Sequence, residues 1–359
     1  MTANMQSARL AISCLAGVAL FFTTSNTHVV PSGCAAVALP RGAHKSLFRH
    51  ASAERPTSYP YITGDTIRSF ADHVFDETTD TADWAGRAVS VQHGDIVFLK
   101  TDYMAQFFEG AFLRIRHNFV LATHNSDSSA PATFWAYLDD PKLLAWYAMN
   151  PDIVHPKLVP MPIGFANAHW PHGSPAALQD AFDVARGPWQ TSRHCVYVNV
   201  NVGTNQAMRS QVLNHGASLK GAYFRRERVN YSDYLVDVAN SKYVLSPPGN
   251  GMDCHRTWEA ALLGAIPIVE SSLLDPLYKG LPVVVVQHWG EITDKLITAV
   301  AAQGVADHHC VPTVLKADYW LGRMLAHRTS PSVAHRARAR SPSAGTLFHP
   351  VSMRTNESD

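Results

Sequence analysis

Along this 359-residue chain, short unbroken apolar runs alternate with segments whose apolar residues recur every three or four positions. The first pattern suits strands buried on both faces, the second suits amphipathic helices. Asp95–Lys100 (DIVFLK) and Asn118–Ala122 (NFVLA) read as buried strands, with helical spacing over Met104–Arg116 between them. Tyr61–Phe75 reads as a short strand or turn followed by a helical segment. Pro141–Met149 reads as a helix with Leu143, Leu144, Trp146 and Tyr147 on its apolar side. Lys157–Ile163 (KLVPMPI) is extended, and its two prolines exclude it from the centre of a sheet. Past a loop-rich stretch a second run begins near Pro188. His194–Val200 reads as a strand, Thr204–Leu213 and Tyr231–Asn240 as helices, Pro282–Gln287 as a strand and Glu291–Gln303 as a closing helix. Strands alternating with helices predict parallel sheets joined by right-handed crossovers.

The densest pattern lies in Ser241–Ser271, SKYVLSPPGNGMDCHRTWEAALLGAIPIVES. An apolar run ends at Pro247-Pro248-Gly249-Asn250-Gly251, a helical pattern follows, and Ala265–Val269 is a second run. This is strand, polar turn, helix, strand. Ligands of open α/β sheets bind beyond the carboxyl ends of the strands, and a helix N-terminus offers N–H groups to an anion. Asp253 is the expected N-cap of that helix, and the bland reading of the turn glycines is a tight strand-to-helix turn needing φ > 0.

The ends of the chain read differently. Leu10–Phe22 is apolar apart from Ser13 and Gly17, with Arg9 before it, and is short for a spanning helix. It suits a secretory signal with Ala36-Val37-Ala38 as a distant cleavage region; a short single-pass signal-anchor is the rival. Residues 23–58 lack a period and read as a stem. Beyond Arg328 the chain is rich in Ser, Pro, Ala and Arg and reads as a disordered tail. The expected division is 1–58 leader and stem, 59–187 first α/β domain, 188–327 second α/β domain, 328–359 tail.

Composition narrows the function classes. With 30 basic against 29 acidic residues, nothing draws the whole chain toward nucleic acid. The five cysteines lack CxxC spacing and the 19 histidines are scattered, so no metal site is expected; an isolated disulfide stays open. Gly249-Asn250-Gly251 is only GxG and falls late in its domain, which speaks against a nicotinamide or flavin oxidoreductase. No GxxxxGK[ST] is present.

Arg256 and Glu259 lie one turn apart on the helix after the turn. Arginine there can clamp a diphosphate, and a carboxylate one turn deeper can accept hydrogen bonds from sugar hydroxyls. A plain surface Arg–Glu pair is the bland reading; the apolar remainder of the helix (Trp258, Ala260, Ala261, Leu262, Leu263) places the charges at its exposed start. Asn199 and Asn201, at the end of the second domain's first strand, Thr204 as N-cap and Arg209 on the next helix supply the complementary half. Turn formation is nearly as good a reading of the two asparagines.

These residues carry a resemblance. Residues 241–271, above all SPPGNGMDCHRTWEAALLGAIPIV, resemble the nucleotide-sugar half of exostosin-like glycosyltransferases and, more distantly, that of fucosyltransferases. The likeness extends over roughly 195–290 and weakens over 61–170. It implies a GT-B-like α/β fold, two Rossmann-like domains with parallel sheets facing a central cleft. The second would bind the donor, the first the acceptor. No metal and no cofactor are implied, since the nucleotide sugar enters as a substrate. By position, Arg209, Arg256 and Glu259 would contact phosphate and sugar, with Asn199, Asn201, Thr204, Gly249, Asn250, Gly251 and Asp253 around them. Asp253-Cys254-His255 departs from the exostosin pattern, which leaves donor and stereochemistry open.

For a base near the acceptor hydroxyl, His124 and Asp127 follow one buried strand and Asp102 follows another. Loop capping is the bland reading of each. The expected function is transfer of a sugar from a nucleotide-diphosphate donor to a glycan or glycoprotein acceptor in the secretory pathway, in the lumen of the Golgi or endoplasmic reticulum. The alternative is a catalytically silent glycan- or nucleotide-binding protein of the same fold.

Overall fold

The computed structural model describes residues 19–20, 48–185, 192–225, 229–302 and 311–328. The expected stem before residue 48 and the expected tail past Arg328 lie outside them. So does the expected leader, except for β1 (Ala19–Leu20). β1 pairs antiparallel with Val284–Val285, so a cleaved leader would remove that strand. Among the described residues no helix is long and apolar enough to cross a membrane.

The first domain is a five-stranded parallel sheet in the order β2-β3-β4-β5-β6. Its strands are β2 (His73–Phe75), β3 (Ile96–Lys100), β4 (Phe119–His124), β5 (Leu143–Ala148) and β6 (Leu158–Pro160). β4, the middle strand, is buried at all six positions, as expected of a strand covered on both faces. Pro160 sits in the edge strand, where a missing N–H breaks no ladder.

Several elements differ from the sequence reading, among them helix Pro175–Val184 in the stretch expected to be loop-rich and the unexpected helix Ala317–Leu325. Pro141–Met149, expected as a helix, holds strand β5. A short apolar run is compatible with either state. Here the gap between β4 and β6 decides it, and Trp146 Nε1 donates to Thr123 Oγ1 of β4 at 2.9 Å. The helix within Tyr61–Phe75 covers only Gly64–Phe70, capped by the Thr63 side chain on Thr66 N–H, and Phe75 belongs to β2.

The second domain is a six-stranded sheet in the order β1-β11-β10-β9-β7-β8, parallel except for β1. It contains β7 (His194–Val198), β8 (Ala222–Phe224), β9 (Ser241–Leu245), β10 (Ile266–Glu270) and β11 (Val284–Val286). Helix His255–Leu262 connects β9 to β10 as the pattern predicts. Two such α/β domains around one cleft form the GT-B-like architecture.

The domains share apolar packing. One buried cluster contains Ile67 and Tyr147 of the first and Tyr197, Val244 and Trp258 of the second. Helix Pro175–Val184 packs on helix Tyr231–Ala239 across the junction. Chain order assigns residues 311–327 to the second domain, but packing returns 311–328 to the first. Ala317 N–H bonds Pro60 O, Ile62 N–H bonds Leu315 O, and Tyr59 OH bonds Asp318.

Candidate functional site

A cavity of about 630 Å³ opens between the domains, beyond the carboxyl ends of both sheets. Its second-domain wall begins at the turn after β9. Ser246 Oγ and Thr257 Oγ1 lie 2.8 Å apart and tie the start of the turn to the helix that follows it. The turn glycines serve close approach, not the φ > 0 of the bland reading, since neither Gly249 nor Gly251 has positive φ. A Cβ on Gly251 would stand 2.7 Å from Asn150 Nδ2, and one on Gly249 would stand 3.0 Å from Arg209 Nη2.

Asp253 is not the expected N-cap. Cys254 occupies that position without a side-chain cap bond, and Asp253 turns inward to 5% exposure. Its carboxyl accepts from Ile163 N–H (2.7 Å), Cys254 N–H (2.8 Å) and Trp258 Nε1–H (2.9 Å). Its own N–H donates to Asn150 Oδ1 at 2.9 Å. Ile163 and Asn150 belong to the first domain, so Asp253 pins the two domains together at the floor of the cleft. Burial pushes its pKa up to about 6 against these donors.

The strand-end asparagines serve the turn. Asn201 Oδ1 accepts from Gly203 N–H, and Asn199 Nδ2 donates to Tyr197 OH. Neither lines the cavity; Thr204 and Arg209 do. The expected N-cap at Thr204 shifts to Asn205, whose Oδ1 accepts from Met208 N–H and whose Nδ2 donates to Gly249 O. Arg209 is 5% exposed and bonds Pro248 O through Nε and Asn201 O through Nη1, both at 2.9 Å. It holds two strand ends together and leaves Nη2 beside Gly249.

Arg256 and Glu259 do not form the expected exposed pair. Glu259 is 3% exposed, and its two oxygens accept from Tyr231 OH (2.9 Å) and Tyr234 OH (2.7 Å). Burial raises its pKa. Arg256 is partly buried; its Nε and Nη1 are enclosed and have no hydrogen-bond partner among the described residues. Buried donors are nearly always paired in native proteins, so the two open donors of Arg256 mark it as a candidate for an anion partner, although it does not line the cavity itself.

On the first-domain side, the three candidate bases diverge. His124 is 2% exposed and both ring nitrogens are engaged: Nδ1 accepts from Asn125 N–H (2.8 Å) and Nε2 donates to Pro162 O (3.2 Å). Burial holds its pKa down to about 4, and no lone pair is left for an acceptor proton. Asp102 accepts from Ser126 and Ser128, pairs with Lys100 at 3.5 Å, and is not part of the cavity wall. Asp127 is on the wall, where Asn250 Nδ2 donates to it across the cleft at 3.1 Å.

His124 also yields a pH prediction. Its folded pKa lies below the unfolded 6.5, so its contribution is present above pH 6.5 and is lost as pH falls toward 4. Between pH 7 and pH 5 the wild type should lose about 2 kcal/mol more stability than His124→Asn, as followed by urea unfolding at each pH.

The wall also includes Asn125, Asn167, His169, Trp170 and His255, none of them named as a site residue from the sequence; Asp65 bonds Asn125 and faces His169 without lining the cavity. Asp65, in the first turn of helix Gly64–Phe70, is 1% exposed and pairs with Arg55 at 3.1 Å. Trp170 is 52% exposed, and its ring stacks with His172 at 6.1 Å. His255 Nδ1 lies 2.8 Å from Gly164 O, and burial lowers its pKa. Trp170 belongs to the loop tetrapeptide Trp170-Pro171-His172-Gly173, whereas nothing local in the sequence marks Asp65. No group of three or more His, Cys, Asp or Glu among the described residues is arranged to hold a metal.

No family model matches this chain, so none supports the exostosin-like resemblance, and no curated protein matches it. Among solved structures, the fold is similar to an α,α-trehalose-phosphate synthase (UDP-forming) from Burkholderia vietnamiensis. The identity is 9% and the TM-score 0.36, over 72% of this chain and 78% of that one. A likeness that remote carries no argument about activity.

Proposed function

We propose that the chain is a glycosyltransferase that moves a sugar from a nucleotide-diphosphate donor to a glycan or glycoprotein acceptor. The carrying observation is the cleft beyond the carboxyl ends of two parallel sheets, with a glycine turn, Arg209 and a helix N-terminus on one wall. Arg256, with two unpartnered donors one residue beyond the wall, is the proposed diphosphate clamp. The exostosin-like resemblance of residues 241–271 supports the same reading, and Leu10–Phe22 supports action in the secretory pathway.

The test is nucleoside diphosphate release from a panel of UDP- and GDP-sugars in the presence of p-nitrophenyl glycosides. Turnover with at least one donor supports the reading; none with any donor counts against it. With Arg256 as the clamp and no metal needed, the rate should be unchanged in EDTA. Loss of turnover in EDTA, restored by Mn²⁺, would assign the phosphates to a metal instead.

A second reading, a silent nucleotide- or glycan-binding protein, is favoured by one observation. His124 and Glu259, both nominated for substrate contact, are fully engaged by the chain's own groups. Nucleotide binding without turnover would select it.

A further inference from the structure

With His124 engaged and Asp102 off the wall, the cleft still holds a histidine beside a buried carboxylate. His169 Nδ1 lies 3.0 Å from Asp65 Oδ2, with the Asp65 side chain fully enclosed and the His169 side chain 26% exposed to the cavity. Asp65 is held rigidly from three directions. Oδ1 accepts from Asn125 Nδ2 at 3.0 Å and from Arg55 Nη1 at 3.1 Å, and the Asp65 N–H donates to Asn167 Oδ1 at 2.8 Å. Asn167 Nδ2 in turn donates to Asn125 Oδ1 at 3.0 Å. Oδ2 is buried, has no aligned hydrogen bond, and has His169 as its only ion-pair partner among the described residues. Such loose geometry is usual before substrate closes a catalytic hydrogen bond. Nδ1 thus faces the carboxylate without a formed hydrogen bond, and Nε2 has no hydrogen-bond partner among the described residues.

We propose that His169 is the general base of the transfer, with Asp65 as its positioning residue; this rests on the glycosyltransferase reading above. In the step, His169 Nε2 takes the proton of the acceptor hydroxyl as the hydroxyl oxygen bonds the donor's anomeric carbon. The bond from that carbon to the β-phosphate oxygen breaks, and its electron pair leaves on the nucleoside diphosphate. The imidazolium, stabilised by Asp65, then returns its proton to water. One displacement by a base on the acceptor side inverts the anomeric configuration. Trp170, next in the chain and more than half exposed, offers a flat apolar face beside the base. An aromatic face suits the C–H face of a sugar ring, so the acceptor that His169 serves is a carbohydrate hydroxyl.

The experiment uses the full chain with the donor panel and p-nitrophenyl glycosides, reading nucleoside diphosphate release and the anomer formed by NMR. His169→Ala should lower kcat about 10²- to 10⁴-fold, leave UDP or GDP affinity within about twofold, and recover part of its rate in added imidazole. Asp65→Asn should lower kcat about tenfold at unchanged acceptor KM. If His169→Ala loses its circular dichroism spectrum, His169→Gln replaces it. A wild type that turns over while the folded His169 variant stays within about threefold overturns the dyad alone, and so does a retained anomer. A wild type that neither binds nucleotide nor releases it overturns the transferase reading together with the dyad.

Discussion

Replacing Asp253 by alanine is expected to destabilise the protein by about 3–5 kcal/mol, the largest stability effect of any cleft substitution. The change strands three buried donors, Ile163 N–H, Cys254 N–H and Trp258 Nε1–H, and each unsatisfied buried group costs roughly 1–3 kcal/mol. One of the three comes from the first domain, so the loss should also loosen domain closure. Urea unfolding followed by tryptophan fluorescence reports the first effect, since Trp258 is itself a partner. Limited proteolysis between residues 160 and 192 reports the second. A variant within about 1 kcal/mol of wild type would mean that the carboxyl does not pin the domains.

Glu259→Ala is expected to cost about 2–4 kcal/mol of stability, and any loss of turnover should follow from that. It removes the acceptor of two tyrosine hydroxyls and a carboxylate whose charge acts on the enclosed Arg256 guanidinium. Glu259→Gln retains one acceptor oxygen and should cost less, with nucleotide affinity held. The residue does not line the cavity, and both of its oxygens are held by the two tyrosines. Calorimetric unfolding beside a nucleotide titration separates the two roles. A fully stable Glu259→Gln that has lost all turnover would restore the direct contact.

How much of this was legible in the sequence depends on the range of the interactions. The strand–turn–helix–strand unit over 241–271 was readable because Pro, Gly and a change of apolar period act within a few residues. Strand β5 was misread because LLAWYA has no period of its own; only its neighbours β4 and β6 make it a strand. The turn was found, but the roles of its polar residues were not. Asp253 finds Ile163 and Asn150, Glu259 finds two tyrosines of the preceding helix, and Asp65 finds His169, all partners remote in sequence. A polar residue beside a turn looks like a cap until its distant donors are known. The return of residues 311–328 to the first domain was illegible for the same reason, since chain order says nothing of docking.

The claim that the cleft receives a nucleoside diphosphate on its second-domain wall is tested most directly by calorimetric titration of UDP and GDP into wild type and Arg256→Ala. Arg256 carries two enclosed donors without a partner among the described residues. The account predicts binding of one nucleotide per chain, weakened by about 1.5–3 kcal/mol, or roughly 10- to 150-fold, in the folded variant. Failure of both nucleotides to bind wild type, or equal affinity in the variant, would contradict it.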